Sequence, residues 1–298
     1  MSQVFSENGD MYVILTDGIN YGKAATANVT NIDTTKPIIT GLTATTNSIE
    51  ITATDEESGI VGYAVTTSNT APEDSSYITV TKTKTLETSV TEKTQGTAYY
   101  VWVKDEAGNV NESKSTTTKN VTDLTSGNTT FSYTPDQGTW TNGNVVATAS
   151  TTATGYTLQT SKDGTTWYNT SSQTFTENGS IYARLWDGIN YGGMATGNVT
   201  NIDKTAPTCT NLWWGEVTKD VARLYIQATD DISGIARVTA PTSTQSGGYN
   251  NWVWFEAVWD AGANAYRADI TPATFGHYGQ TYLTHLYIWD NAGNGGII

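Results

Sequence analysis

The stretch FTENGSIYARLWDGINYGGMATGNVTNIDKTAP, Phe175 to Pro207, decides how this chain is built, because FSENGDMYVILTDGINYGKAATANVTNIDTTKP, Phe5 to Pro37, repeats it without a gap. About two thirds of the positions are identical, and self-similarity at that level marks repeated structural units. In each copy a Glu-Asn-Gly turn leads into a strand of period two. Tyr182, Arg184 and Trp186 fall on one face of it, and Ile181, Ala183 and Leu185 on the other. A D-G-I-N-Y-G turn, a strand of small residues and a linker containing Asp and Pro follow. This pattern predicts the end of a β-domain and a hinge to the next.

Two shorter endings, YYVWVKDEAGNV (Tyr99 to Val110) and HLYIWDNAGNGG (His285 to Gly296), repeat the logic. An aromatic strand runs into an Asp-led turn closed by Gly and Asn, residues that tolerate positive φ and bond their own backbone. Four endings predict four β-domains. Residues 1–34 are expected to be the last strands of a truncated domain, 35–124 and 125–204 complete sandwiches, and 205–298 a sandwich lacking part of its last strand. Because the linkers NIDTTKP and NIDKTAP are short and contain Pro, the domains are expected to form an extended array.

Composition agrees with short strands throughout. The 298 residues include 17 Tyr and 10 Trp against 5 Phe and 3 Met, and segments with helical periodicity are missing. A formal charge of -14 argues against nucleic acid or an anionic membrane surface as partner, since both demand clustered Lys and Arg. No apolar run reaches the roughly 18 residues of a membrane span, so membrane insertion is not expected. A single cysteine, Cys209, excludes an intrachain disulfide. The chain reads as a monomeric piece of a longer polypeptide.

Within 35–124, NSIEITATDEESGIVGYAV (Asn47 to Val65) and YYVWVKDEAGN resemble the fibronectin type III-like modules of bacterial surface proteins. The run from Phe131 to Asp203 resembles bacterial Ig-like repeats. In the last unit, ATDDISGI (Ala228 to Ile235) repeats ATDEESGI (Ala53 to Ile60), and the Trp-rich segment from Asn250 to Asn294 is similar to the Bsp-like repeat of Gram-positive surface proteins. These resemblances imply tandem Ig-like/fibronectin type III-like β-sandwiches in a secreted or cell-surface protein. They also imply a structural place for His277 and His285 inside the last module.

Two constellations are candidates for chemistry. Sandwich connectivity brings the turn after the second strand, the turn before the last strand and the lead-in linker to one pole. This gathers Asp33, Asp55, Glu56, Asp105 and Asn109 in one unit, and Asp203, Asp230, Asp231, Asp290 and Asn294 in another. Such oxygen-rich poles suit a hard cation such as calcium, but the same residues also serve as caps of their own turns, and no D-x-D-x-D-G loop is present. In NWVWFEAVW, alternation places Trp252, Trp254 and Glu256 on one face, with Tyr249 nearby. These form either a sugar-stacking platform or part of the core, and neither face is clearly the polar one. No catalytic set is evident and the chain is read as non-enzymatic. N-x-S/T triplets, among them those at Asn28, Asn120, Asn128 and Asn198, arise readily from this composition.

The expectation is a non-catalytic extracellular spacer or stalk with a possible adhesion role toward a glycan or a host or cell-wall component. The alternative is a carbohydrate-binding accessory region of a cell-wall or polysaccharide-degrading enzyme, and a third reading is a phage or appendage fibre.

Overall fold

The computed structural model describes residues 2–276, 279 and 281–297. The described chain is all-β apart from two single-turn 3-10 segments, and it is organised as Ig-like/fibronectin type III-like β-sandwiches. It divides into two compact units. One is Met1–Asp123 with Gly155–Thr157 and Leu185–Gly193; the other is Leu124–Thr154, Leu158–Arg184 and Met194–Ile298. Among the described residues no helix is long and apolar enough to cross a membrane.

The chain opens with an antiparallel hairpin, β1 (Gly9–Val13) and β2 (Ala25–Val29). Its inner face has nothing to pack against among the described residues: Leu15 is 80% exposed, whereas its repeat counterpart Leu185 is 1% exposed. The first sandwich sets β3 (Ile38–Ala44), β4 (Ile49–Thr54) and β7 (Thr85–Val90) against β5 (Ile60–Thr66), β6 (Ile78–Thr83), β8 (Ala98–Asp105) and β9 (Lys114–Thr117). The sheet orders are β3-β4-β7 and β6-β5-β8-β9, a three-on-four Greek-key arrangement. Period-two alternation explains the pairing of faces. Ile49, Ile51 and Ala53 from one sheet meet Ile60, Tyr63, Val101 and Val103 from the other in a single core.

The second sandwich comprises β10 (Thr129–Thr134), β11 (Val145–Thr151), β12 (Thr157–Ser161), β13 (Ser172–Phe175), β14 (Gly179–Trp186) and β15 (Ala195–Val199), in sheets β10-β11-β13 and β12-β14-β15. The β14–β15 register, Gly179 opposite Val199, is that of β1–β2, Gly9 opposite Val29, shifted by one repeat. Ile181, Val145, Ala147, Phe175 and Val199 form its core. Asp163-Gly164 is a dipeptide that favours a tight two-residue hairpin, but among the described residues β12 meets the returning chain at a bridge between Thr160 and Tyr168. Asp163 Oδ1 accepts from the amides of Thr165 and Thr166 instead, which widens the turn into an Asx-type loop.

The last sandwich contains β16 (Thr208–Val217), β17 (Ala222–Thr229), β18 (Ile235–Thr244), β19 (Val253–Asp260), β20 (Ala265–Ile270), β21 (Tyr282–Thr284), β22 (Tyr287–Asp290) and β23 (Gly295–Ile297). β19 turns the corner between its layers. Val253 to Glu256 pair with β18, and Ala257 to Asp260 pair with β20. A strand that switches sheets in this way is how orthogonal sandwiches close an edge. The core is Leu224, Ile226, Val238, Ala240, Ala268, Ile270, Leu286 and Ile288. A short β23 pairs with β22, Tyr287 opposite Ile297.

Candidate functional site

The linker aspartates are placed by the repeated stretch itself. In one copy the Asn8 side chain donates to the carbonyl of Ile32 and accepts from its amide, both at 2.9 Å; in the other, Asn178 does the same to Ile202 at the same distances. The next residue is Asp33 or Asp203. Asp33 Oδ1 accepts from the Thr35 amide at 2.8 Å and its Oδ2 from the Ser58 amide at 2.9 Å, which carries it into the turn after β4. Asp203 repeats this with Thr205 at 2.9 Å and Ser233 at 3.1 Å, in the turn after β17.

Those turns present the second carboxylate. Asp55 Oδ1 accepts from the Gly59 amide and Asp230 Oδ1 from the Gly234 amide, both at 2.6 Å. The third comes from the Asp-led turn that ends the aromatic strand. Asp105 accepts from the amide and the side chain of Asn109 at 2.7 and 2.8 Å, and Asp290 from those of Asn294 at 2.8 Å each. Asn109 Nδ2 then reaches the Asp33 carbonyl at 3.2 Å, and Asn294 Nδ2 the Asp203 carbonyl at 2.9 Å.

Two matching triads result, Asp33 with Asp55 and Asp105, and Asp203 with Asp230 and Asp290. In each, one oxygen per carboxylate lies within 4.8 Å of the others. The neighbouring Ser58 hydroxyl, then the amides of Thr35 and Ser58, hold the Asp33 carboxyl below the usual carboxylate range against the opposing effect of burial. For Asp203 burial is the largest influence and pushes upward, but the Ser233 hydroxyl and the Thr205 and Ser233 amides outweigh it.

Of the ten sequence candidates for these poles, six form the triads and two, Asn109 and Asn294, orient them as donors. Glu56 and Asp231 do not join. Glu56 pairs with Lys84 at 3.4 Å on the surface, because the residue after Asp55 turns away from the pole, and Asp231 is exposed for the same reason. Ser58 and Ser233 were not singled out by sequence, although both stand at the fourth place of D-x-x-S-G.

The aromatic candidate is resolved by burial. Phe255 and Ala257 pack on the core of the last sandwich, so Trp252, Trp254 and Glu256 face outward, and Trp254 is 50% exposed. The Trp254 ring lies 5.0 Å from Tyr287 and 6.5 Å from Trp289, and Tyr287 stacks on Trp289 at 5.4 Å. Trp252 lies 4.5 Å from the His285 ring. Glu256 pairs with Arg237 through two hydrogen bonds, and this guanidinium holds the carboxyl below its ordinary value. Arg237 in turn sits 5.4 Å over Trp289. Tyr249 stands apart in the turn after β18, with φ at 56°, and makes no ring contact with the tryptophans among the described residues. Sequence alternation could not reveal Tyr287 and Trp289, which arrive from another strand. His277 lies outside the described residues.

A third feature lies in the first compact unit. Asn190, in the D-G-I-N-Y-G loop between β14 and β15, donates through Nδ2 to the carbonyls of Thr46 at 3.1 Å and Lys93 at 3.0 Å. Its Oδ1 accepts from the Gln95 amide at 3.2 Å. Asn47 Nδ2 reaches the Asp187 carbonyl at 3.1 Å, and Gln95 Nε2 the Tyr191 carbonyl at 2.8 Å. The loop thereby satisfies backbone groups at the ends of β3, β7 and β8. Its copy, Asp17 to Gly22, has the same internal bonds, including Asn20 amide to Asp17 Oδ1 at 2.7 Å, but Asn20 is exposed.

No family model matches the chain, and no curated protein matches it. Solved structures similar to it include domains A168-A170 from titin, at 12% identity and a TM-score of 0.36, covering 86% of this chain and 94% of that one. The FN1-FN3 domains of chicken CNTN1 are similar at 12% identity and a TM-score of 0.25, covering 88% and 96%.

Proposed function

We propose that the chain is a non-catalytic spacer segment of an extracellular surface protein, in which successive sandwiches are held at built joints. The observation that carries this reading is the Asn190 loop. A buried side-chain amide that uses both its donors and its acceptor on backbone groups fixes a loop in one place, and such networks specify geometry more than they add stability. The linkers contribute in the same way through Asn8 and Asn178. Pulling the chain from its two ends tests the proposal. A spacer of independent modules is expected to unfold in discrete steps, each releasing about 30 nm for a sandwich of about 85 residues. Extension as one featureless event at negligible force would overturn it.

A second reading has its own support. The outward cluster of Trp254, Tyr287 and Trp289 is a half-exposed aromatic surface with a charged rim, the composition that stacks on sugar rings. Retention of the chain on insoluble polysaccharide, abolished by Trp254→Ala, supports a carbohydrate-binding role; no retention on any glycan surface removes it.

A further inference from the structure

The two aspartate triads gather negative charge with nothing positive beside it. None of the six carboxylates pairs with a lysine or arginine among the described residues. Carboxylates this close repel one another unless a proton or a cation intervenes. Turn capping explains part of the arrangement and leaves a remainder. An ionised carboxylate offers about four lone-pair sites, and the amides use only some of them.

The remainder is visible as buried oxygens without partners. Asp55 is only 4% exposed, yet its Oδ2 accepts no hydrogen bond. In the other triad Asp230 Oδ2 is likewise unpartnered. Buried polar atoms of this kind are rare in folded proteins and call for an unlocated partner. Here the same atoms are orphaned at the same places in two sandwiches.

We propose that each triad, with the Ser58 or Ser233 hydroxyl beside it, binds one calcium ion. The ligands are all hard oxygens, which excludes the metals that prefer sulfur or imidazole. Oxygens on a single ion can lie at most twice the metal–oxygen distance apart. That limit is about 4.6 to 5.2 Å for calcium, so oxygens within 4.8 Å of one another can share one calcium ion, whose six to eight oxygen ligands and flexible geometry suit a site completed by hydroxyl and water. Three carboxylates with the remaining positions filled by hydroxyl and water place the affinity on the order of 10⁻⁴ to 10⁻³ M, the range of extracellular modules. In each case the ion joins a linker aspartate to two turns of the sandwich that follows, so it ties the linker to the sandwich pole.

Calorimetric titration of the EDTA-stripped chain with CaCl₂ tests the assignment. Two ions per chain are expected, with Asp55→Asn and Asp230→Asn each leaving one and the double variant none. Saturating calcium is expected to raise the melting temperature of the wild type by on the order of 5 °C or more. In EDTA each Asn variant is expected to melt at or above the wild type, because the substitution relieves repulsion while keeping the oxygen that accepts from Gly59 or Gly234. If Asp55→Asn fails to fold, Asp230→Asn carries the same test in a different sandwich. Absence of saturable binding, or a stoichiometry that neither substitution changes, would show the aspartates to be turn caps alone.

Discussion

Asn190 donates to the carbonyl of Thr46 across 144 positions of sequence, at 3.1 Å, whereas the side chain of Asn20 in the same hexapeptide one repeat earlier finds only Asp17 among the described residues. The pair is an internal control. Local turn chemistry is identical in the two loops, so any difference in behaviour reports what the Asn190 loop has docked upon.

Asn190→Ala is expected to destabilise the first unit by about 1–3 kcal/mol, since two carbonyls and an amide lose their partner in a buried place. Asn20→Ala is expected to stay within about 0.5 kcal/mol of the wild type. Chemical denaturation of both variants checks this, and equal effects would contradict it.

The glycines after the same loops separate further. A Cβ on Gly192 would lie 2.3 Å from the Thr122 carbonyl oxygen, while one on Gly22 meets nothing nearer than 3.5 Å. Gly192→Ala must therefore displace backbone and is expected to cost more than about 2 kcal/mol, whereas Gly22→Ala is expected to be neutral or slightly stabilising. Comparison of their thermal midpoints decides.

Trp254→Ala is expected to cost only about 1 kcal/mol, the worth of its ring contacts with Tyr287 and Trp289. Ile226→Ala, at a fully buried position of the same sandwich, is expected to cost about 2–5 kcal/mol. A Trp254→Ala loss as large as that of Ile226→Ala, measured by denaturant unfolding, would return Trp254 to the core.

Acid stability follows from Asp203. Its carboxyl titrates below the ordinary value in the folded state, so ionisation favours folding. That contribution is complete above the unfolded value of about 4 and disappears as pH falls through the lower folded value. In EDTA, Asp203→Asn is expected to lose less melting temperature than the wild type between pH 6 and pH 3. Equal losses would remove Asp203 from the acid limb.

Much of this was legible in the sequence, and the remainder has physical reasons. Period-two alternation located β14 and divided its two faces, because Ile181, Ala183 and Leu185 are wholly buried and register is then tightly specified. The convergence of Asp33 with Asp55 and Asp105 was also readable, because sandwich connectivity fixes which turns share a pole. Glu56 and Asp231 were misplaced there, since adjacent residues in a turn point apart and only one can enter. Alternation could divide Trp252 and Trp254 from Phe255 but could not say which set faces water. That depended on β22 bringing Tyr287 and Trp289 alongside. Docking of the Asn190 loop had no local signal at all, because Asn20 carries the same residues without the partners.

Hydrogen exchange of the two D-G-I-N-Y-G loops in a single sample tests the built joint most directly. The amides of Asp187, Ile189, Asn190 and Gly192 make the same internal bonds as those of Asp17, Ile19, Asn20 and Gly22. Slower exchange of Asp187–Gly192 by a factor on the order of 100 or more is the result expected of a loop locked by Asn190, and equal exchange of the two loops would contradict it.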